Sequence, residues 1–101
     1  MDFKIIWSDA AIADLQEVCS YIAQHDPQAA DRIGRGILAH VRVLASFPFI
    51  GPSYPRGVRG TLREIVFGSH RIFYDVSEES HSVEILHVWH GKRDEPTFER
   101  P

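Results

Sequence analysis

The chain has a single cysteine, Cys19, which excludes an internal disulfide and a cysteine-based zinc cage. Set at helical spacing from Leu15 and Ile22, it reads as a core filler and not as a nucleophile. No apolar run approaches the roughly 18 residues that span a bilayer, and Met1-Asp2-Phe3-Lys4-Ile5 lacks the charged, apolar, small-residue order of a secretory signal. A cytoplasmic protein with no membrane partner is expected. An excess of positive charge is missing too: 11 Lys/Arg stand against 14 Asp/Glu, for a net charge of −3. That balance disfavours a protein whose whole surface grips nucleic acid. There is no internal repeat and no low-complexity tract. No set of His, Cys or carboxylates has ligand spacing, so neither a metal nor another cofactor is expected.

What is present is an ordinary globular composition, 44% hydrophobic, 25% charged and 11% aromatic over 101 residues. This suits one domain over residues 1–101, with one modest core. The charge is unevenly spread. Residues 1–50 carry 4 Lys/Arg against 6 Asp/Glu, whereas residues 56–93 carry 6 against 5 and hold His70, His81, His87 and His90. Any basic site is therefore local and lies in the second half.

Phe3-Lys4-Ile5-Ile6-Trp7 has the β-branched and aromatic content of a strand, and Ser8-Asp9 after it can start a helix. Ile12, Leu15, Val18, Cys19 and Ile22 then recur at steps of three and four, with Asp14, Gln16, Glu17 and Gln24 on the other side, which predicts an amphipathic helix over about residues 8–25. Asp26-Pro27 supplies a cap and an N1 proline for a second helix. Ala30, Ile33, Ile37, Val41 and Leu44 form its stripe, and Phe47-Pro48 ends it. So short a connection folds the pair into an αα-hairpin. Gly34 and Gly36 cost this helix about 1 kcal/mol each relative to alanine, which a close helix crossing or a backbone contact would explain. The Pro- and Gly-rich stretch from Phe47 to Gly60, with Arg56 and Arg59, is a loop expected to lie over the sheet edge. Three strands follow, at Leu62 to Phe67, Arg71 to Val76 and Val83 to His90. Gly68-Ser69 and Ser77-Glu78-Glu79-Ser80 provide their turns. In the last strand both alternating sets, Val83/Ile85/His87/Trp89 and Glu84/Leu86/Val88/His90, are largely apolar, which places it centrally in the sheet. The fold expected is α+β: an N-terminal strand, an αα-hairpin and a three-strand antiparallel meander (βααβββ), with the helices on one face of a four-stranded sheet.

This order resembles the RelE/ParE toxin superfamily of type II toxin-antitoxin systems, and the local motifs agree. They are Trp7-Ser8 with Ala11 and Asp14-Leu15; Tyr21-Ile22-Ala23; Ala29-Ala30; Leu44 with Phe47-Pro48 and Gly51; Arg63-Glu64; His70-Arg71-Ile72-Phe73-Tyr74; and Ile85-Leu86-His87-Val88-Trp89-His90-Gly91-Lys92-Arg93. The resemblance implies a growth-inhibiting toxin, of the plasmid-stabilisation type, neutralised by a cognate antitoxin whose segment wraps it. Superfamily members divide by target. RelE-like toxins are ribosome-dependent mRNA endoribonucleases, and ParE-like toxins inhibit DNA gyrase.

Arg71 matches the family arginine that contacts the scissile phosphate in nuclease members, a task suited to a planar guanidinium. Equally, it can be an edge arginine paired with Glu64 or Asp75 across the hairpin. At the end of the last strand, His90 could act as general acid while Lys92 and Arg93 hold an anionic phosphorane. Alternatively, these residues form a turn that binds antitoxin or stays solvated. The nuclease reading thus uses Arg71, His90 and Arg93 as catalytic residues. Arg63, Arg71, Lys92 and Arg93 are the candidates for phosphate or target binding under either reading. His87 and His90 point to opposite faces and cannot share a metal. His70 is expected to be a solvated turn histidine, Trp7 a core residue, and Tyr74 and Trp89 core or partner contacts.

Two departures weigh against a nuclease: Glu64 stands where those members tend to keep a basic residue, and Phe98 where many keep a tyrosine. Phenylalanine cannot transfer a proton. The leading expectation is therefore a ParE-like inhibitor of DNA gyrase, the alternative a ribosome-dependent endoribonuclease acting on mRNA, and the third a chain that has lost toxicity but still binds antitoxin. In each case the sheet edges and helix hairpin are expected to receive the antitoxin.

Overall fold

Residues 2–53 and 62–91 are described by the structure, a computed structural model. β1 (Lys4–Trp7) runs directly into α1 (Asp9–Ala23), whose N-cap is Ser8. The Ser8 hydroxyl accepts from Ala11 N at 3.0 Å, satisfying a donor that the first helical turn would leave unpaired. α2 (Pro27–Arg42) starts as its sequence predicts, with the Asp26 carboxylate accepting from Ala29 N at 3.1 Å and Pro27 in the first turn. A 3₁₀ turn over Val43–Ala45 extends it towards Phe47-Pro48.

The two glycines of α2 mark two close approaches, Gly34 to α1 and Gly36 to Phe67 of the sheet. A methyl on Gly34 would sit 3.0 Å from Cys19 Sγ, and one on Gly36 would overlap the Phe67 ring. Cys19 is half-buried beside Gly34, where burial and the neighbouring Asp31 carboxylate hold its thiol above the ordinary pKa.

The meander comprises β2 (Leu62–Phe67), β3 (His70–Ser77) and β4 (Ser82–His90). Gly68, at φ +59°, forms the β2–β3 turn with Ser69. The sheet order is β1-β4-β3-β2, with β1 parallel to β4 and the remaining pairs antiparallel. β4 is thus internal, as expected from its composition.

The pattern within β4 differs from a simple alternation. The register shifts between Phe73, opposite His87, and Tyr74, opposite Ile85, so that Leu86 is a bulge residue with no β3 counterpart. The extra residue turns Val88 to the same side as Val83 and Ile85. These three join Ile72 and Tyr74 from β3 and Ala11, Ile37, Val41 and Leu44 from the helical segments in one buried core. Leu86 packs instead with Leu62 and Phe73 on the helix-free side. Full burial of such side chains contributes about 1.5–3 kcal/mol each. Trp7 and Ile5 pack against the main core from β1.

His70 is not the solvated turn histidine expected. It is the first residue of β3, paired with both Phe67 and His90, and is only 7% exposed. The two-residue turn is tight enough to draw it into the ladder. Among the described residues no helix is long and apolar enough to cross a membrane.

Candidate functional site

The helix-free face of the sheet carries Arg71. Because β3 alternates, Arg71 shares that face with Phe73, whereas His70, Ile72 and Tyr74 face the helices. Its guanidinium donates from Nε to Glu64 Oε2 at 2.6 Å, and the two side chains are each 20% exposed. The same guanidinium lies over the Phe73 ring at 5.0 Å. Phe73 meets Trp89 edge-on at 6.3 Å, and the rings of His87 and Trp89 are 5.0 Å apart. The face is therefore an aromatic surface carrying one partly desolvated ion pair, and of the readings open for Arg71 the pairing with Glu64 is present.

Arg63 is neighbour to Glu64 in sequence but points the other way. Nη1 donates to Gly51 O at 2.6 Å and Phe49 O at 3.3 Å, and the guanidinium lies 5.0 Å from the Phe49 ring centroid. It pins residues 49–51 beside β2, where Glu64 N also donates to Pro52 O at 3.2 Å. Part of the loop thus lies along the sheet edge as expected.

His90 stands opposite His70, their rings edge-to-face at 5.5 Å. Burial first, and the nearby His90 second, hold the His70 pKa below its ordinary value, which favours the neutral imidazole. His90 is consequently on the helix side of the sheet and Arg71 on the other. A general acid and a guanidinium acting on one phosphate must converge on a single reacting group, and strands so paired send these two apart. Lys92, Arg93 and Phe98 lie outside the described residues. Among those described, no group of His, Cys, Asp and Glu could hold a metal ion.

Asp14 is a residue whose role the sequence pattern conceals. Read as part of the polar side of α1, it faces the sheet. β1 ends at Trp7, leaving the outer edge of β4 uncovered beyond Ile85. Ser8 Oγ donates to Leu86 O at 3.2 Å, and Asp14 Oδ2 accepts from Val88 N at 3.0 Å. The same oxygen lies 2.9 Å from His87 Nδ1. The start of α1 thereby takes over the pairing that β1 abandons. The only signal in the sequence is an aspartate one residue before Leu15 of the apolar stripe.

The chain matches, over residues 5–95, the family model described as the ParE toxin of the type II toxin-antitoxin system parDE. It is 35% identical over 95 residues to the Sinorhizobium fredii protein Y4kP, which is named as a toxin, covering 92% of this chain and 93% of that one. Among solved structures, it resembles the chromosomal ParDE toxin-antitoxin system of P. aeruginosa, with a TM-score of 0.74 at 19% identity, covering 87% of this chain and 95% of the other. The RelBE2 toxin-antitoxin complex of Mycobacterium tuberculosis gives a TM-score of 0.59 at 21% identity, over 89% of this chain and 99% of that one. A mutant of the E. coli toxin RelE in the free state gives 0.63 at 16% identity, over 91% and 86% respectively. At these identities the structural likenesses establish the shared fold.

Proposed function

Because the chain belongs to the ParE toxin family of type II toxin-antitoxin systems, we propose that it acts as a binding inhibitor of DNA gyrase, held inactive by its cognate antitoxin. The observation that carries this reading over the nuclease alternative is the separation of Arg71 from His90 on opposite faces of the sheet. The Arg71 guanidinium is also engaged by Glu64, whose carboxylate would repel a scissile phosphate.

A binding toxin needs neither a shifted acid–base pair nor a nucleophile. It needs a surface that buries well against its target. Arg71, His87 and Trp89, set around the buried Phe73, offer aromatic and guanidinium groups of the kind that dominate protein interfaces. Arg63, Lys92 and Arg93 remain target-binding candidates in this proposal, with Arg63 acting through the loop it holds. The solved relatives that are toxin-antitoxin complexes support an antitoxin partner for this chain as well.

Purified chain at a few-fold molar excess should block DNA supercoiling by gyrase, and antitoxin should restore it. Full supercoiling at saturating chain, combined with mRNA cut inside ribosomes in a translation extract, would replace this reading with the endoribonuclease one. Induction without antitoxin should slow growth; unimpaired growth would indicate a chain that has lost toxicity.

A further inference from the structure

β2 forms one edge of the sheet, and among the described residues the chain pairs with that edge over only part of its length. Glu64 N donates outward to Pro52 O, and Ser53 bridges Arg63, so residues 52–53 run beside the first half of the strand. Antiparallel pairing sends the N–H and C=O of alternate residues to the same side. Val66, two residues on from Glu64, therefore also turns both groups outward, and no described residue pairs with them. Phe67 turns its own back towards His70, and Gly68 then leaves the strand for the turn. The open ladder is one residue long. Sheet edges are commonly protected by a lysine, a proline or a bulge, and Ile65-Val66-Phe67 has none of these.

A second observation lies beside Val66. Here a hollow of about 380 Å³ opens between β2, the end of α2 and residues 50–52. Val43, Ile50 and Pro52 line it and are all exposed. Phe47 adjoins them: its N–H donates to Val43 O, and Ile50 N donates to Phe47 O, so Val43, Phe47 and Ile50 follow one another round a turn. Phe47 and Ile50 are each 61% exposed, and Val66 is 55% exposed. Large apolar groups gathered in one place mark an interaction surface, where the same groups scattered singly would not.

We propose that a second copy of this chain closes the edge, the two β2 strands meeting antiparallel across a two-fold axis at Val66. On such an axis the opposed residues exchange both hydrogen bonds, so one open residue per chain is enough: each Val66 N–H donates to the other Val66 carbonyl. An extended segment of a different protein gains most from an edge that it can follow over several residues. Residues 52–53 on one side and the Gly68 turn on the other leave it no such length. The same axis sets projection against hollow. Phe47 and Ile50 of each copy seat in the other's hollow, the self-complementary contact that an isologous dimer requires. Val43, Phe47, Ile50 and Val66 with one exchanged pair of hydrogen bonds make a contact at or below the low end of specific interfaces, about 1,200 Å² in total. The dimer is accordingly weak, with a Kd in the micromolar range.

Sedimentation velocity of the free chain, from low to high micromolar concentration, tests this. A reversible monomer–dimer equilibrium is expected, and Val66→Lys and Ile50→Lys should each raise its Kd by about tenfold or more. Ile6→Lys also places a charge at an exposed apolar residue, but on β1 at the opposite edge, and should leave Kd unchanged. All three side chains are exposed, so the circular dichroism spectrum and Tm should match the parent. Hydrogen exchange at the Val66 amide should slow as the chain is concentrated through the Kd. A chain that stays monomeric throughout overturns the proposal. So does a dimer that withstands Val66→Lys or Ile50→Lys, one that Ile6→Lys abolishes, or a Val66 amide whose exchange ignores concentration. Loss of antitoxin binding in Val66→Lys, with a parent chain that never self-associates, would give the edge to that partner and overturn it as well.

Discussion

A methyl group at position 51 would come within 2.5 Å of the Glu64 carbonyl oxygen and 2.7 Å of the Tyr74 hydroxyl. Gly51 instead gives its N–H to that hydroxyl at 3.0 Å, inside the core, and its carbonyl to Arg63. Burial pushes the Tyr74 phenol pKa up, and the Gly51 N–H and the Arg63 charge pull part of the way back, so the hydroxyl remains protonated at neutral pH. Since the backbone of β2 cannot yield as a flexible side chain would, Gly51→Ala should cost about 1–3 kcal/mol in urea unfolding. An unchanged midpoint would show that the loop relaxes freely. Proline and glycine around this position mark a loop in the sequence, but they do not reveal that Tyr74 is its anchor. For the same reason Arg63 reads from sequence as a phosphate ligand. A cation's charge is visible there, and the carbonyls that occupy it come from residues 49 and 51.

At the level of elements, the periodicity of α1 and α2, the Ser8 and Asp26 caps and the Gly68-Ser69 turn are local features, and each was legible. The bulge at Leu86 was not, because it depends on how two strands slide into register and β4 is apolar on both sides of it. Nor was the contact between α1 and the β4 edge. Asp14 accepts from a backbone N–H 74 residues away, and no helical period encodes that distance. Asp14→Ala leaves Val88 N without its acceptor beside the core, so a loss of about 1–3 kcal/mol is expected. Faster hydrogen exchange at the Val88 amide should accompany it. Asp14→Asn keeps an acceptor oxygen and should lose less. Equal losses in the two variants would mean that the carboxylate charge, through His87, matters more than the backbone contact.

For the molecule as a whole, element order was readable from end to end, and the two-sided apolar content of β4 put it inside the sheet with β1 on its free edge. The direction in which β1 pairs and the register of the strands were not readable. Register also decides which residues share a site. His70, Arg71 and His90 fall within 21 positions of one another, yet the pleat and the register divide them between two faces. The burial of His70 couples stability to pH. Its folded pKa lies below the ordinary value of 6.5, so the contribution of the neutral ring is full above that value. As pH falls below 6.5 towards the folded pKa, the unfolded chain takes the proton more readily and this contribution is lost. Thermal unfolding from pH 7.5 to 5 should show a falling Tm, less steep in His70→Gln. An equal slope in the variant would assign the acid sensitivity to other groups.

The pairing of Lys4–Trp7 with Ser82–Ile85 also bears on how the protein is made. β1 is synthesised well before β4, so Ile5 and Trp7 wait without their strand neighbour while the intervening chain is made. The helix hairpin and the β2–β3 hairpin, whose contacts are local, can form in that interval. A sheet that closes by joining its first strand to its last is completed in one late step, and the nascent toxin cannot present a finished surface to a partner before then.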